Sequence, residues 1–245
     1  MNAGTALRND ARVISLIGVA HCLSHVYQLA MPALFPLIIA ADGYSYTQLG
    51  LLGTVFFASS ALGQTPAGFL VDRFGPRRML LAGLGLNALA IMAIGFADAY
   101  WVLLVLAAFA GLGNSVFHPA DYAIMSGSIR EENMGRAFSV HTFSGFLGGA
   151  CAPVTMLTLA SLTDWRTAFI AIGLAGLAVW AAMALRGGVL VGERPAAPKQ
   201  GGGGARGPSG LALLTTPPVL LYLGFFIAYG MASGGLSAFT VIGLI

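Results

Sequence analysis

GFLVDRFGPRR, running from Gly68 to Arg78, places four charged residues, three of them Arg, between two long uncharged apolar runs. Only 9% of the chain is charged, so this is a concentrated signal. A surface loop of a water-soluble domain has no need of such flanks. A short turn between two membrane helices does, because the apolar runs lie in lipid while the charges hold the turn in water. The rest of the chain repeats this pattern. It is 57% hydrophobic with a mean hydropathy of +0.83, whereas soluble domains carry charge at roughly 25% of positions.

Seven segments reach the length of about 20 mostly apolar residues that a membrane helix requires. They are Val13–Ala40, Thr47–Val71, Met79–Ala97, Ala99–Ile129, Ala137–Thr163, Thr167–Leu185 and Val219–Ile245. Asp121 in the fourth is the single charged residue within them. The alternation of a membrane barrel strand, over about 10 residues, is absent. The expected fold is therefore all-α and polytopic: a bundle of six helices over residues 1–186, a Gly- and Pro-rich linker over 187–216, and a seventh helix over 217–245. The chain stops at Ile245 without a polar tail, so we expect a second half to be missing.

Basic residues fix the expected orientation. With the N-terminus in the cytoplasm, Arg8, Arg12, Arg73, Arg77, Arg78, Arg130, Arg136, Arg186, Arg194, Lys199 and Arg206 lie inside and only Arg166 lies outside. The net charge of +3 then reflects topology, not nucleic-acid binding. The expected location is a bacterial inner membrane. The first span is too long for a secretory leader and carries His21, His25, Pro32 and Pro36. Cys22 and Cys151 both fall inside spans, and neither a disulfide framework nor metal-ligand spacing is evident in the sequence, so no cofactor or metal is expected.

Two spans share a polar stripe. His21, His25 and Gln28 stand at i, i+4 and i+7 of the first, and Asn114, His118 and Asp121 repeat that spacing in the fourth. The match suggests two three-helix repeats of inverted topology, a construction that places substrate sites near the midplane. At 1.5 Å per residue, His25 lies roughly 20 Å above Arg12 and His118 roughly 18 Å above Arg130. His141, about 7–8 Å above Arg136, is expected nearer the edge. Asp121 is read either as a proton carrier or as a salt-bridge partner of Arg73 or Arg77. Small residues recur every four positions as Gly50, Thr54 and Ala58, as Ser59, Gly63 and Ala67, and as Ser144, Gly148 and Ala152, marking close helix contacts.

The loop as a whole resembles the signature between the second and third helices of the major facilitator superfamily of secondary transporters. The matching positions are Gly68, Asp72, Arg73, Gly75, Arg77 and Arg78, and Pro76 stands where the family usually has its first basic residue. SHVYQLAMPALFPL (24–37) and SVFHPA (115–120) are similar to the first and fourth helices of the fosmidomycin-resistance-like efflux branch. That branch has an acidic residue directly after the His-Pro pair; here Ala120 intervenes before Asp121. The resemblance implies a cavity lined by the first and fourth helices. It also implies that Gly68 and the Gly-rich fifth helix approach the absent half, and that Asp72 faces a helix N-terminus there to lock one conformation.

The function expected is proton-coupled transport of a small organic compound, by efflux antiport or by import symport. The partners are the substrate, protons, the bilayer, and a missing C-terminal half or a second copy. The chain has no phosphate-binding G-x-x-x-x-G-K-[ST] loop. A membrane hydrolase using Ser144 lacks the first Gly of a nucleophile elbow. A homodimeric scaffold is the remaining alternative if residues 1–245 are the whole product.

Overall fold

The computed structural model describes residues 3–192, 212 and 214–242, with side chains up to Gly230. It forms two units, Met1–Ala197 and Pro198–Ile245. The first unit is a bundle of α1 (Ala3–Ala33), α2 (Phe35–Asp42), α3 (Tyr46–Phe74), α4 (Pro76–Ile94), α5 (Tyr100–Asn114), α6 (Phe117–Ser128), α7 (Glu131–Leu162) and α8 (Trp165–Arg186), closed by a 3-10 turn at Gly187–Val189. The second holds α9 (Pro217–Ile242), which is 26 residues long. Most of the expected linker, residues 193–211 and 213, lies outside the described residues.

Five described stretches are long and apolar enough to cross a membrane: Gly4–Ala33, Pro76–Ile94, Tyr100–Ser128, Glu131–Leu162 and Trp165–Val189. The second expected span is helical as α3, 29 residues long, but is not among the five. Thr54, Ser59, Ser60, Gln64 and Thr65 dilute its apolarity. The expected spans also bend where proline dictates. Pro36 has no N–H to return to the Pro32 carbonyl, and the first span breaks at Leu34 into α1 and α2. Pro119 does the same to the fourth span, which is interrupted at Ser115–Val116 between α5 and α6. Pro153, by contrast, is absorbed within an unbroken α7.

Helix ends are defined by local chemistry. Ser45 and Gln48 form a reciprocal capping box at the start of α3, with Gln48 N–H donating to Ser45 Oγ at 3.2 Å. Asp164 caps α8 by accepting the backbone N–H groups of Arg166 and Thr167 at 2.8 and 2.9 Å. Gly75 alone joins α3 to α4 at φ +90°, a conformation that a Cβ would strain. Pro76 follows it as the first residue of α4, where its missing N–H costs nothing.

The main packing pairs are α1 with α7, α3 with α5, and α4 with both α5 and α8. Exchanging α1 with α5–α6 and α3 with α7 maps the α1–α7 contact onto the α5–α3 contact. The correspondence is partial, because the close α4–α5 packing has only a slight α1–α8 counterpart. Glycines permit the close approaches. A Cβ on Gly111 would strike the Phe56 carbonyl of α3, and one on Gly83 would lie 2.8 Å from the Gly113 carbonyl. Gly145 and Gly148 of α7 face α1, where a Cβ would meet His21 and His25 or the Cys22 carbonyl respectively. The expectation that the Gly-rich fifth span packs on an absent half is corrected here for these two residues. They are consumed inside the bundle.

The two ends of the bundle are tied differently. At one end Asp10, buried, accepts hydrogen bonds from Arg130 Nε at 2.9 Å and Asn133 Nδ2 at 2.7 Å, joining α1 to the start of α7. At the same end Arg77 Nη2 donates to the Ala184 carbonyl at 2.9 Å, meeting the negative end of α8. The first residues of the expected linker pack there too: Leu190 is buried, and Ser128 Oγ bonds the Val191 carbonyl. Within the expected linker, Leu190 is thus held against the bundle as an apolar side chain close enough to reach it. At the opposite end Arg166 bonds the Ala97 carbonyl and lies 3.3 Å from Asp42 and 3.8 Å from Asp98.

Candidate transport site

The two polar stripes meet in the bundle interior, running antiparallel as their helices do. Gln28 Nε2 of α1 donates to Asn114 Oδ1 of α5 at 3.4 Å, and Asn114 Nδ2 donates to Ser60 Oγ of α3 at 2.9 Å. The other ends of the stripes also meet, with His21 Nδ1 3.7 Å from Asp121 Oδ2. Between them the His21 ring lies 4.7 Å from His25 and 5.2 Å from His118, centroid to centroid. Asn114 and His118 flank the break between α5 and α6. Irregular backbone at membrane depth is tolerated where protein buries it or a cavity lies beside it.

His141 joins this layer from α7. Its Nε2 is 3.1 Å from Asp121 Oδ2, and its ring stacks on His21 at 3.7 Å. The depth expected for His141 is corrected. Arg136 was the wrong reference, because α7 already begins at Glu131. Counted from there, ten residues give about 15 Å, close to the depth of Asp121. All four histidines and the carboxylate therefore share one cluster. Asp121 is fully buried, His21 and His141 are buried, and His25 and His118 are partly exposed.

Asp121 does not form the salt bridge to Arg73 or Arg77 that one reading allowed. Among the described residues its ionisable partners are His141 and His21. Its other oxygen, Oδ1, is buried without a hydrogen-bond partner, as are His21 Nδ1 and His118 Nδ1. Ser144 donates its hydroxyl to the Val140 carbonyl of its own helix at 2.7 Å. Sequence reasoning missed Ser60, which sits beside the small-residue stripe of α3, and Tyr122, whose ring lies 5.6 Å from His141. Ser60 was legible only as a polar residue inside an apolar span; its partner was not.

The second set of sequence-selected residues lies away from this cluster, at the Asp10 end of the bundle. Asp72, Arg73 and Arg78 are exposed, and Gly68 has open space where a Cβ would point. Arg73 lies over the Phe74 ring at 5.2 Å. With Arg77 and the Gly188–Gly192 segment, Asp72, Arg73 and Arg78 line an open groove of about 690 Å³. The arrangement is that of a polar core with a separate charged surface turn.

Comparison with known sequences bears on both. The sequence profile described as Major Facilitator Superfamily matches residues 16–244. The chain belongs to the major facilitator superfamily. It is a multi-pass helical membrane protein of that family. It is 29% identical over 170 residues to the Uncharacterized MFS-type transporter YfnC of Bacillus subtilis, covering 68% of this chain and 41% of YfnC. It is 26% identical over 166 residues to the Probable sulfoacetate transporter SauU of Cupriavidus necator, covering 67% and 38%. It is 25% identical over 152 residues to the Fosmidomycin resistance protein of Escherichia coli, covering 61% and 37%. The chain thus spans about two fifths of the length of these relatives.

Proposed function

We propose that this chain forms the first half of a proton-coupled secondary transporter that exports a small organic compound by antiport, working by alternating access. The observation that carries the reading is the interior cluster of His21, His25, His118, His141 and Asp121, in which His21, His141 and Asp121 are buried. Ionisable groups at membrane depth are costly and mark ion or substrate pathways. Gln28 and Asn114 extend the same pathway. Family membership supports transport, and relatives named for fosmidomycin and multidrug resistance support efflux. The second reading is import by symport, and relatives named as probable sulfoacetate and L-galactonate transporters point to a small organic acid as its substrate.

In this proposal residues 1–186 are one rocking unit, and residues 217–245 begin the next, reached through the linker. A second six-helix half, or a second copy, completes the cavity. The N-terminus faces the cytoplasm across the inner membrane. Gly68, Asp72, Arg73, Gly75, Arg77 and Arg78 form the element that locks one conformation, with Asp72 free to meet a helix N-terminus of the other half. The test is flux in inverted membrane vesicles from cells producing the protein. Adding an exported compound should discharge an imposed pH gradient, and the double change His25→Ala with His118→Ala should abolish this. Flux indifferent to the gradient rejects proton coupling.

A further inference from the structure

We infer that His21, His118 and His141, with Asp121, form a binding site for a divalent cation of borderline softness, of the Zn²⁺ or Co²⁺ type. One nitrogen from each of the three histidines lies within 4.8 Å of the others. They come from three different elements, α1, α6 and α7, so the cluster is a product of the fold and of no single helix face. Bonds of about 2.0–2.1 Å from a tetrahedral metal place its nitrogen ligands roughly 3.3–3.4 Å apart. The contraction needed is at most about 1.5 Å between any pair of the three nitrogens.

Asp121 makes the set a metal site and more than a group of stacked rings. Its Oδ2 is 3.1 Å from His141 Nε2 and 3.7 Å from His21 Nδ1. The carboxylate is fully buried, and it supplies the negative charge that a dication in a low-dielectric interior requires. Three nitrogens and one carboxylate oxygen match the donors that Zn²⁺ accepts, whereas Mg²⁺ and Ca²⁺ prefer all-oxygen shells. The orphaned atoms point the same way. His21 Nδ1, His118 Nδ1 and Asp121 Oδ1 are buried lone-pair or proton-bearing atoms without partners, a costly state that a shared cation would relieve. Gly145 leaves room for the imidazoles, because a Cβ there would sit 2.9 Å from the Nε2 atoms of both His21 and His25.

The site shares residues with the proposed transport pathway, but it stands on binding geometry alone and is tested without transport. The purified, tag-free, chelator-stripped protein in detergent is titrated with Co²⁺, read by its visible d–d bands, and then with Zn²⁺ in competition. One Co²⁺ per chain with the intense bands of a four-coordinate site is expected, displaced by Zn²⁺. His118→Ala should weaken binding by at least about 10-fold. Ser144→Ala, whose hydroxyl only bonds its own helix, should leave binding unchanged. Wild-type protein that takes up no stoichiometric Co²⁺ overturns the proposal, as does a folded His118→Ala protein that binds as tightly as wild type. If His118→Ala fails to fold, the wild-type titration and the Zn²⁺-induced rise in Tm decide alone. Export without Co²⁺ binding rejects the metal site only; Co²⁺ binding without proton-linked flux rejects the transport reading only.

Discussion

Adding one methyl group at Gly148 should separate α1 from α7, and adding one at Gly145 should disturb the histidines instead. At Gly148 the new Cβ would fall onto the Cys22 carbonyl oxygen, 2.9 Å from its carbon and 3.0 Å from His25 Cβ. Backbone cannot rotate aside, so the two helices must move apart. Overpacking of this kind costs about 1–3 kcal/mol, offset by about 1 kcal/mol of improved helix propensity. Because the obstacle is a backbone carbonyl, the cost lies at the upper end of that range, and Gly148→Ala should lose about 2 kcal/mol. At Gly145 the nearest atoms are imidazole tips at 2.9 Å, which need only reach the 3.4 Å of ordinary contact. Its stability should stay within about 1 kcal/mol of wild type, since propensity and crowding oppose each other. Denaturant unfolding in detergent reads the first effect, and Co²⁺ titration reads the second. Gly148→Ala protein as stable as wild type would refute the close α1–α7 packing on which the cluster depends.

Two further outcomes follow from helix ends. Gly75→Ala should destabilise by about 1–2 kcal/mol, because an L side chain at φ +90° is strained even in open space; equal unfolding midpoints would contradict the one-residue turn. Asp164→Ala should cost about 1 kcal/mol by removing the α8 cap. The backbone N–H and hydroxyl of Thr167, then the neighbouring Arg166, hold the Asp164 carboxyl below its ordinary value of 3.8. A carboxyl lowered in the folded state stabilises fully above its unfolded value and loses that contribution as pH falls through the folded one. The difference between wild type and Asp164→Ala should accordingly be constant from neutral pH to about pH 5 and shrink below about pH 4. A gap that widens on acidification would reverse the sign and remove the cap as its cause.

Much of this was legible in the chain because lipid imposes a simple code. Apolar length gave the spans, the charged turn at 68–78 gave the connection between α3 and α4, and the i, i+4, i+7 polar stripes gave the two helices that face each other. Pro119 accounts for the break at Ser115–Val116 once the fold is known. Other features depend on which surfaces meet, and spacing along one helix does not encode that. His141 has only the small hydroxyl of Ser144, at i+3, as a close polar companion on α7, a weaker stripe than those of the first and fourth spans, and α7 starts before Arg136, which hides its depth. Gly145 and Gly148 announced a close contact without saying with whom, and α1 claimed them. Asp121 could have paired with either the arginines of the turn or the histidines, and only the crossing of α6 over α7 decides between them. The burial of Leu190 is not legible either, because a single apolar residue in a Gly-rich stretch carries too little signal.

The interruption between α5 and α6 has a mechanical consequence. An unbroken helix bends as a stiff beam, so a push at one end is felt along its whole length. Here the beam is two segments meeting at a knuckle. Asn114, bonded to Gln28 and Ser60, pins the segment above it, while His118 and Asp121 ride on the segment below. The lower segment has a natural pivot at which to tilt, and tilting would change the spacing within the histidine layer while leaving the amide layer in place.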